Sequence, residues 1–254
     1  MKKVPKVPFK KGIYILPSLF TTGNVFCGFY AFIAVMNESF FLAGAAIVVA
    51  IIFDALDGRV ARLTKTTSAF GVQYDSLADV ISFGMAPALL AYAWVLKPFG
   101  RLGWLAAFLF LLCGALRLAR FNVTKPDTTG DNFIGLPIPA AAAVIASIVI
   151  AFEDIFKTRL DPMIMVGVVY LLAFLMVSNI KYPAFKKFEF KKRVTFTRFM
   201  FVILFIYVLA TIPREALFVL SFLYVVAGPA NFVFTLFKNS DSQNANETVT
   251  RQDK

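Results

Sequence analysis

"DALDGRVARLTKTTSAFGVQYDSLAD", residues 54–79, places four aspartates in an otherwise oily neighbourhood: Asp54, Asp57, Asp75 and Asp79. The first two are three residues apart and the last two are four apart. On helices, each spacing puts a pair of carboxylates on one face. The stretch between the pairs, "RLTKTTSAF", is short and polar, which predicts two antiparallel neighbouring helices with converging acidic faces.

The surroundings set the class. Of 254 residues, 59% are hydrophobic and only 16% are charged. Soluble domains average about 45–50% apolar and about 25% charged residues. The chain is therefore expected to be an all-α, polytopic membrane bundle. A spanning helix needs roughly 20 mostly apolar residues. Eight such segments are read at about 14–36, 40–62, 71–96, 102–121, 134–156, 161–180, 196–212 and 215–237. Residues 1–237 then form one transmembrane domain, and the polar stretch 238–254 is expected to be a disordered cytoplasmic tail. The N-terminus is basic and then apolar, without a small-residue cleavage site, and is read as mature sequence.

The net charge of +11 follows topology and does not call for a nucleic-acid partner. Of the 26 lysines and arginines, 21 fall in the N-terminal arm, the 2/3 turn, the 4/5 turn, the 6/7 loop and the tail. The alternate connections hold 5. The positive-inside rule puts both termini and the aspartate turn in the cytoplasm, at the cell membrane. The basic, aromatic segment 181–198 is expected at the headgroup surface. Cys27 and Cys113 lie far apart in apolar stretches and read as small buried residues. Histidine is absent, so a general base must be a carboxylate, a lysine or a tyrosine.

Four acids at headgroup depth would repel one another. An ionised residue within the membrane costs at least about 2.5–3.5 kcal/mol on insertion scales. Arg59 and Arg62 are too few to neutralise four carboxylates, whereas divalent cations would. An all-oxygen ligand set suits Mg²⁺ or Mn²⁺, and two pairs on facing helices could share two ions. Gly58 and Ala61 lie beside the first pair and Gly71 precedes the second, leaving room for a phosphorylated ligand. Arg62 offers a forked donor to phosphate. The site reads as a metal-diphosphate centre at the membrane surface. A cation pathway or lysine-paired surface acids are the competing readings.

The full spacing, D-x2-D-G-x2-A-R-x8-G-x3-D-x3-D, resembles the signature of the CDP-alcohol phosphatidyltransferase family at Asp54, Asp57, Gly58, Ala61, Arg62, Gly71, Asp75 and Asp79. Softer likenesses point to its integral-membrane phosphatidylserine synthase branch: "LPSLFTTGNVFCGF" (16–29), "YDSLADVISFGMAPALL" (74–90), "GALRLARFNV" (114–123), "GLPIPAAAA" (135–143) and "VSNIKYPAFK" (177–186). The resemblance implies a six-helix catalytic core with two added C-terminal helices, and a homodimer. It also implies transfer of a phosphatidyl group from CDP-diacylglycerol to L-serine, with release of CMP. Asp54, Asp57 and Asp75 would bind one metal. Asp75 and Asp79 would help hold a second, with Asp54 possibly shared. Asp79 would be the catalytic base. Asp57, Gly58, Ala61, Arg62, Gly71 and Asp75 would line the CDP site. Serine's carboxylate requires a cation, and Arg117 and Arg120, with Asn122, stand at the cytoplasmic end of the fourth span. Sister enzymes using glycerol 3-phosphate, inositol phosphate or choline share the aspartates, so the motif leaves the acceptor open. An ether-linked lipid donor is open as well.

Overall fold

The structure, a computed structural model, describes residues 15–64, 68–123, 132–183, 200, 211 and 214–231. Its helices are α1 (Ile15–Met36), α2 (Phe40–Thr64), α3 (Ala69–Phe99), α4 (Arg101–Val123), α5 (Ile138–Phe156), α6 (Pro162–Val177) and α7 (214–231). Strands β1 (Asn132–Ile134) and β2 (Lys181–Pro183) form a small antiparallel ribbon that pairs Phe133 with Tyr182. Five helices, α1 to α5 (counted from Pro17 in α1), are long and apolar enough to cross a membrane, and α6 is a shorter apolar helix. The expected all-α polytopic bundle is what the chain forms.

Several boundaries differ from the sequence reading. The fifth span was expected from residue 134, but α5 starts at Ile138. Gly135 adopts φ +77° and Pro137 is the N-cap residue, so the chain turns out of the ribbon before a helix can start. The sixth span ends at Val177 instead of 180, because Ser178 is extended (φ −60°, ψ 160°). Residues 181–183 were expected at the headgroups. There, Tyr182 is fully buried against α7 and donates a hydrogen bond to the Val225 carbonyl (3.3 Å). Residues 184–198, most of the seventh expected span, the N-terminal arm and the tail lie outside the described residues.

Helix α3 positions the site. It has 31 residues, against roughly 20 needed to span a bilayer. The regular α-helical stretch Ala69–Asp79 takes up 11 of them, so the acidic end is carried toward the interface. Ser68 starts the helix, its hydroxyl accepting from the Gly71 N–H (2.9 Å). Immediately after Asp79 the backbone widens into a π-helical turn, Val80–Met85. That turn precedes Pro87, which lacks an N–H and would crowd a regular α-helical turn.

Helix α1 packs along α2 and against the first half of α3, and α2 also packs on α5. Helix α5 is buried on nearly every side, and its run Ala140–Ala143 lets neighbours approach closely. At the end of the bundle remote from the aspartates, charge is paired. Trp94 Nε1 donates to Glu153, Arg159 donates to the Trp94 carbonyl and covers the Phe40 ring, and Arg214 pairs with Asp154. Glu153 and Asp154 occupy the last turn of α5.

Candidate active site

The aspartates converge as their spacing predicts. Asp54, Asp57 and Asp75 each offer a carboxylate oxygen, and these oxygens all lie within 4.8 Å of one another. Two come from the last turns of α2 and one from the second turn of α3. Asp79 lies one turn further along α3, close to Asp54. Asp57 and Asp79 are buried. Oδ1 of Asp75 is buried without a hydrogen-bond partner among the described residues.

Helix α1 supplies the polar groups around this cluster. Thr21 Oγ1 donates to Asp57 Oδ2 (2.9 Å), tying α1 to α2. Asn24 Nδ2 donates to Asp79 Oδ1 (3.5 Å), tying α1 to α3. Thr22 and Tyr74 share a hydroxyl–hydroxyl bond of 3.0 Å. None of these α1 residues was singled out from the sequence as a site residue. The available signal was "TTGN", four small or polar residues inside an apolar span, and intramembrane polar residues are functional candidates by default.

Beside the carboxylates is a cavity of about 250 Å³, lined by Pro17, Ser18, Thr21, Asp57, Gly58, Ala61, Arg62, Ser68, Gly71, Val72 and Asp75. Every residue expected to line the CDP site is on its wall. The Arg62 guanidinium folds over Gly58, 3.9 Å from where a β-carbon would stand. A side chain at position 58 would therefore meet the arginine and narrow the cavity.

The three residues expected on the acceptor side separate. Arg117 is buried, within electrostatic reach of Asp79, and its Nε has no hydrogen-bond partner among the described residues. Tyr224 of α7 is also within electrostatic reach of it. Arg120 instead donates to the carbonyls of Ile134, Val177 and Ser178 and to Asn179 Oδ1, pinning the ribbon and the C-terminus of α6. Asn122 donates to Ser76 Oγ (2.9 Å) at the exposed rim. The structure thus brings only Arg117 to the aspartates.

The charge balance at this centre is lopsided. Four carboxylates meet one buried guanidinium, while Arg59 is exposed and Arg62 stands over the cavity. A buried charge needs pairing or a metal. The hard oxygen donors, including the unpartnered Asp75 Oδ1, fit a divalent cation of the Mg²⁺ type.

The chain matches the sequence model of the CDP-alcohol phosphatidyltransferases over residues 14–178. The chain belongs to the CDP-alcohol phosphatidyltransferase family. This is a phosphotransferase family, and the chain is a multi-pass membrane enzyme of it. Among its relatives is the CDP-diacylglycerol–serine O-phosphatidyltransferase of Helicobacter pylori strain J99. That protein is 40% identical over 227 residues, covering 89% of this chain and 94% of the relative. A Bacillus subtilis protein of the same name is 34% identical over 172 residues, 68% of this chain and 92% of its own length. The archaetidylserine synthase of Methanothermobacter thermautotrophicus is 39% identical over 170 residues, 66% of this chain and 69% of its own. Family membership and the carboxylate cluster together point to metal use.

Proposed function

We propose that this protein transfers the phosphatidyl group of CDP-diacylglycerol to the hydroxyl of L-serine, giving phosphatidylserine and CMP. The observation that carries the acceptor is the near full-length likeness to the Helicobacter protein, whose name states this reaction. The archaeal relative's name also specifies serine but a different lipid, so the acceptor is the better supported half.

Asp54, Asp57 and Asp75 would hold one Mg²⁺ or Mn²⁺ ion, and Asp75 and Asp79, with Asp54 shared, a second. When bound, such ions neutralise the diphosphate and the departing CMP. Gly58, Ala61 and Gly71 keep the cavity wall low enough for the nucleotide diphosphate to lie along α2 and the start of α3. Arg62 donates to its phosphate oxygens. Asp79 takes the proton of the acceptor hydroxyl. As it does so, that oxygen bonds to the phosphorus beside the diacylglycerol, and the bond from that phosphorus to the CMP oxygen breaks. Arg117, next to Asp79, holds the serine carboxylate. The aspartate end faces the cytoplasm, where serine and CMP exchange. Residues 1–237 act as one catalytic unit followed by the tail 238–254, and the enzyme works as a homodimer.

The test incubates purified protein with CDP-diacylglycerol, Mn²⁺ and, in turn, labelled L-serine, glycerol 3-phosphate, inositol phosphate and choline. Serine is expected to be consumed with one CMP released per phosphatidylserine. Consumption of glycerol 3-phosphate without serine would overturn the assignment. Replacing Arg117 with Ala is expected to raise the KM for serine far more than that for CDP-diacylglycerol. An unchanged serine KM would remove the arginine from the acceptor site.

A further inference from the structure

Asn24 is fully buried in the middle of α1, and its carboxamide is only half used. Nδ2 donates to Asp79, while Oδ1 has no hydrogen-bond partner among the described residues. Turning the amide over would set its oxygen against a carboxylate, so the donor side is fixed and the oxygen must look elsewhere. Its backbone is held as well, since Ser82 Oγ donates to the Asn24 carbonyl (2.9 Å). A buried acceptor without a partner is costly, so a ligand that supplies a donor would relieve it. In the same layer, Arg117 is a buried donor whose Nε also lacks a partner among the described residues. Both side chains address Asp79, one by hydrogen bond and one by charge.

An acceptor without a partner among the described residues and a buried guanidinium with an unpartnered Nε, both addressing one carboxylate, are complementary to a zwitterion that carries a hydroxyl. We propose that Asn24 is a specificity residue of the acceptor site: its Oδ1 accepts from the substrate's ammonium while Arg117 takes its carboxylate, presenting the hydroxyl to Asp79. This rests on the proposed transfer to an amino-acid alcohol and assigns the ammonium end, for which the sequence offered no candidate. Choline and glycerol 3-phosphate are disfavoured by the same pair. Choline has no N–H to give Asn24 and no anion for Arg117, and glycerol 3-phosphate offers Asn24 Oδ1 only a neutral hydroxyl in place of an ammonium.

The test uses three acceptors: L-serine, 3-hydroxypropanoate (no ammonium) and ethanolamine (no carboxylate). Each is read as KM and kcat, or as an inhibition constant against serine where turnover is too slow. In the full-length enzyme, Asn24→Leu is expected to weaken serine and ethanolamine by about tenfold to a hundredfold more than 3-hydroxypropanoate. Arg117→Met is expected to give the crossed pattern, with ethanolamine affected least. Asn24→Ser, which keeps a hydroxyl and is the milder change for folding, should show the Asn24→Leu pattern at smaller amplitude. If both Asn24 variants weaken all three acceptors in one proportion, Asn24 merely orients Asp79 and the proposal falls. A raised Mn²⁺ requirement, equal for all acceptors, would make Asn24 a metal ligand and overturn it too. An enzyme that uses glycerol 3-phosphate and not serine fails at the earlier step, whatever the variants do.

Discussion

At the scale of single residues, the site depends on groups that are costly to bury. Asp79 is a buried carboxylate that accepts from Asn24 and lies within electrostatic reach of Arg117. With no histidine in the chain, it is the group proposed to take the acceptor's proton. Asp79→Asn keeps the shape and removes the base. It is expected to lower kcat by about 10²–10⁴-fold, the range typical of general bases, with a smaller change in the KM for CDP-diacylglycerol. Steady-state CMP release measures both, and a kcat within twofold of the parent would exclude the role. The four aspartates were legible because each pair is a local pattern on its own helix, joined by a short turn. Asn24 and Thr21 were not, because their partners Asp79 and Asp57 lie 55 and 36 residues away and only packing brings them together. Arg120 resembled Arg117 for the opposite reason. The two share a helix and a spacing of three, and only the ribbon's carbonyls reveal which one is structural.

At the scale of elements, α1 is more than a span, since it carries the polar ligands that hold α2 and α3 in register. It approaches α3 closely at Gly28, where an added β-carbon would stand 2.9 Å from the Ser82 Cα. That neighbour is backbone and cannot swing aside. Ser82 is also the residue that bonds the Asn24 carbonyl. Gly28→Ala is therefore expected to push α1 off α3, costing about 1–3 kcal/mol of stability and loosening Asn24 from Asp79. Thermal unfolding in detergent and the serine KM should both worsen. An alanine variant with the parent's melting temperature and KM would show that the helices have slack here. The first five spans were readable from hydropathy. The π-helical turn after Asp79 and the ribbon were not. A π-helical turn leaves no periodic signature in so uniformly apolar a stretch. The ribbon pairs Asn132–Ile134 with Lys181–Pro183 across two whole helices, α5 and α6.

For the whole molecule, charge is distributed unevenly between the two ends of the bundle. At the remote end, Glu153 accepts from the Trp94 indole and Asp154 is paired with Arg214. Between that end and the aspartates, the spanning helices carry no further acid, so no chain of carboxylates crosses the bundle as a cation pathway would require. The proposed cytoplasmic placement of the aspartate end rests on lysine and arginine distribution. With Cys27 and Cys113 replaced by Ala, a single cysteine at Glu38 is expected to react with an impermeant maleimide in intact cells. One at Lys65 should react only after permeabilisation, and the reverse pattern would invert the topology.

The central claim is that carboxylates from two neighbouring helices jointly hold a divalent ion, and direct Mn²⁺ binding tests it most simply. Electron paramagnetic resonance of Mn²⁺ titrated into the purified protein should show saturable sites. Asp57→Asn, on α2, and Asp75→Asn, on α3, should each weaken binding and abolish CMP release together. Undiminished Mn²⁺ binding in both variants, with turnover intact, would contradict the account.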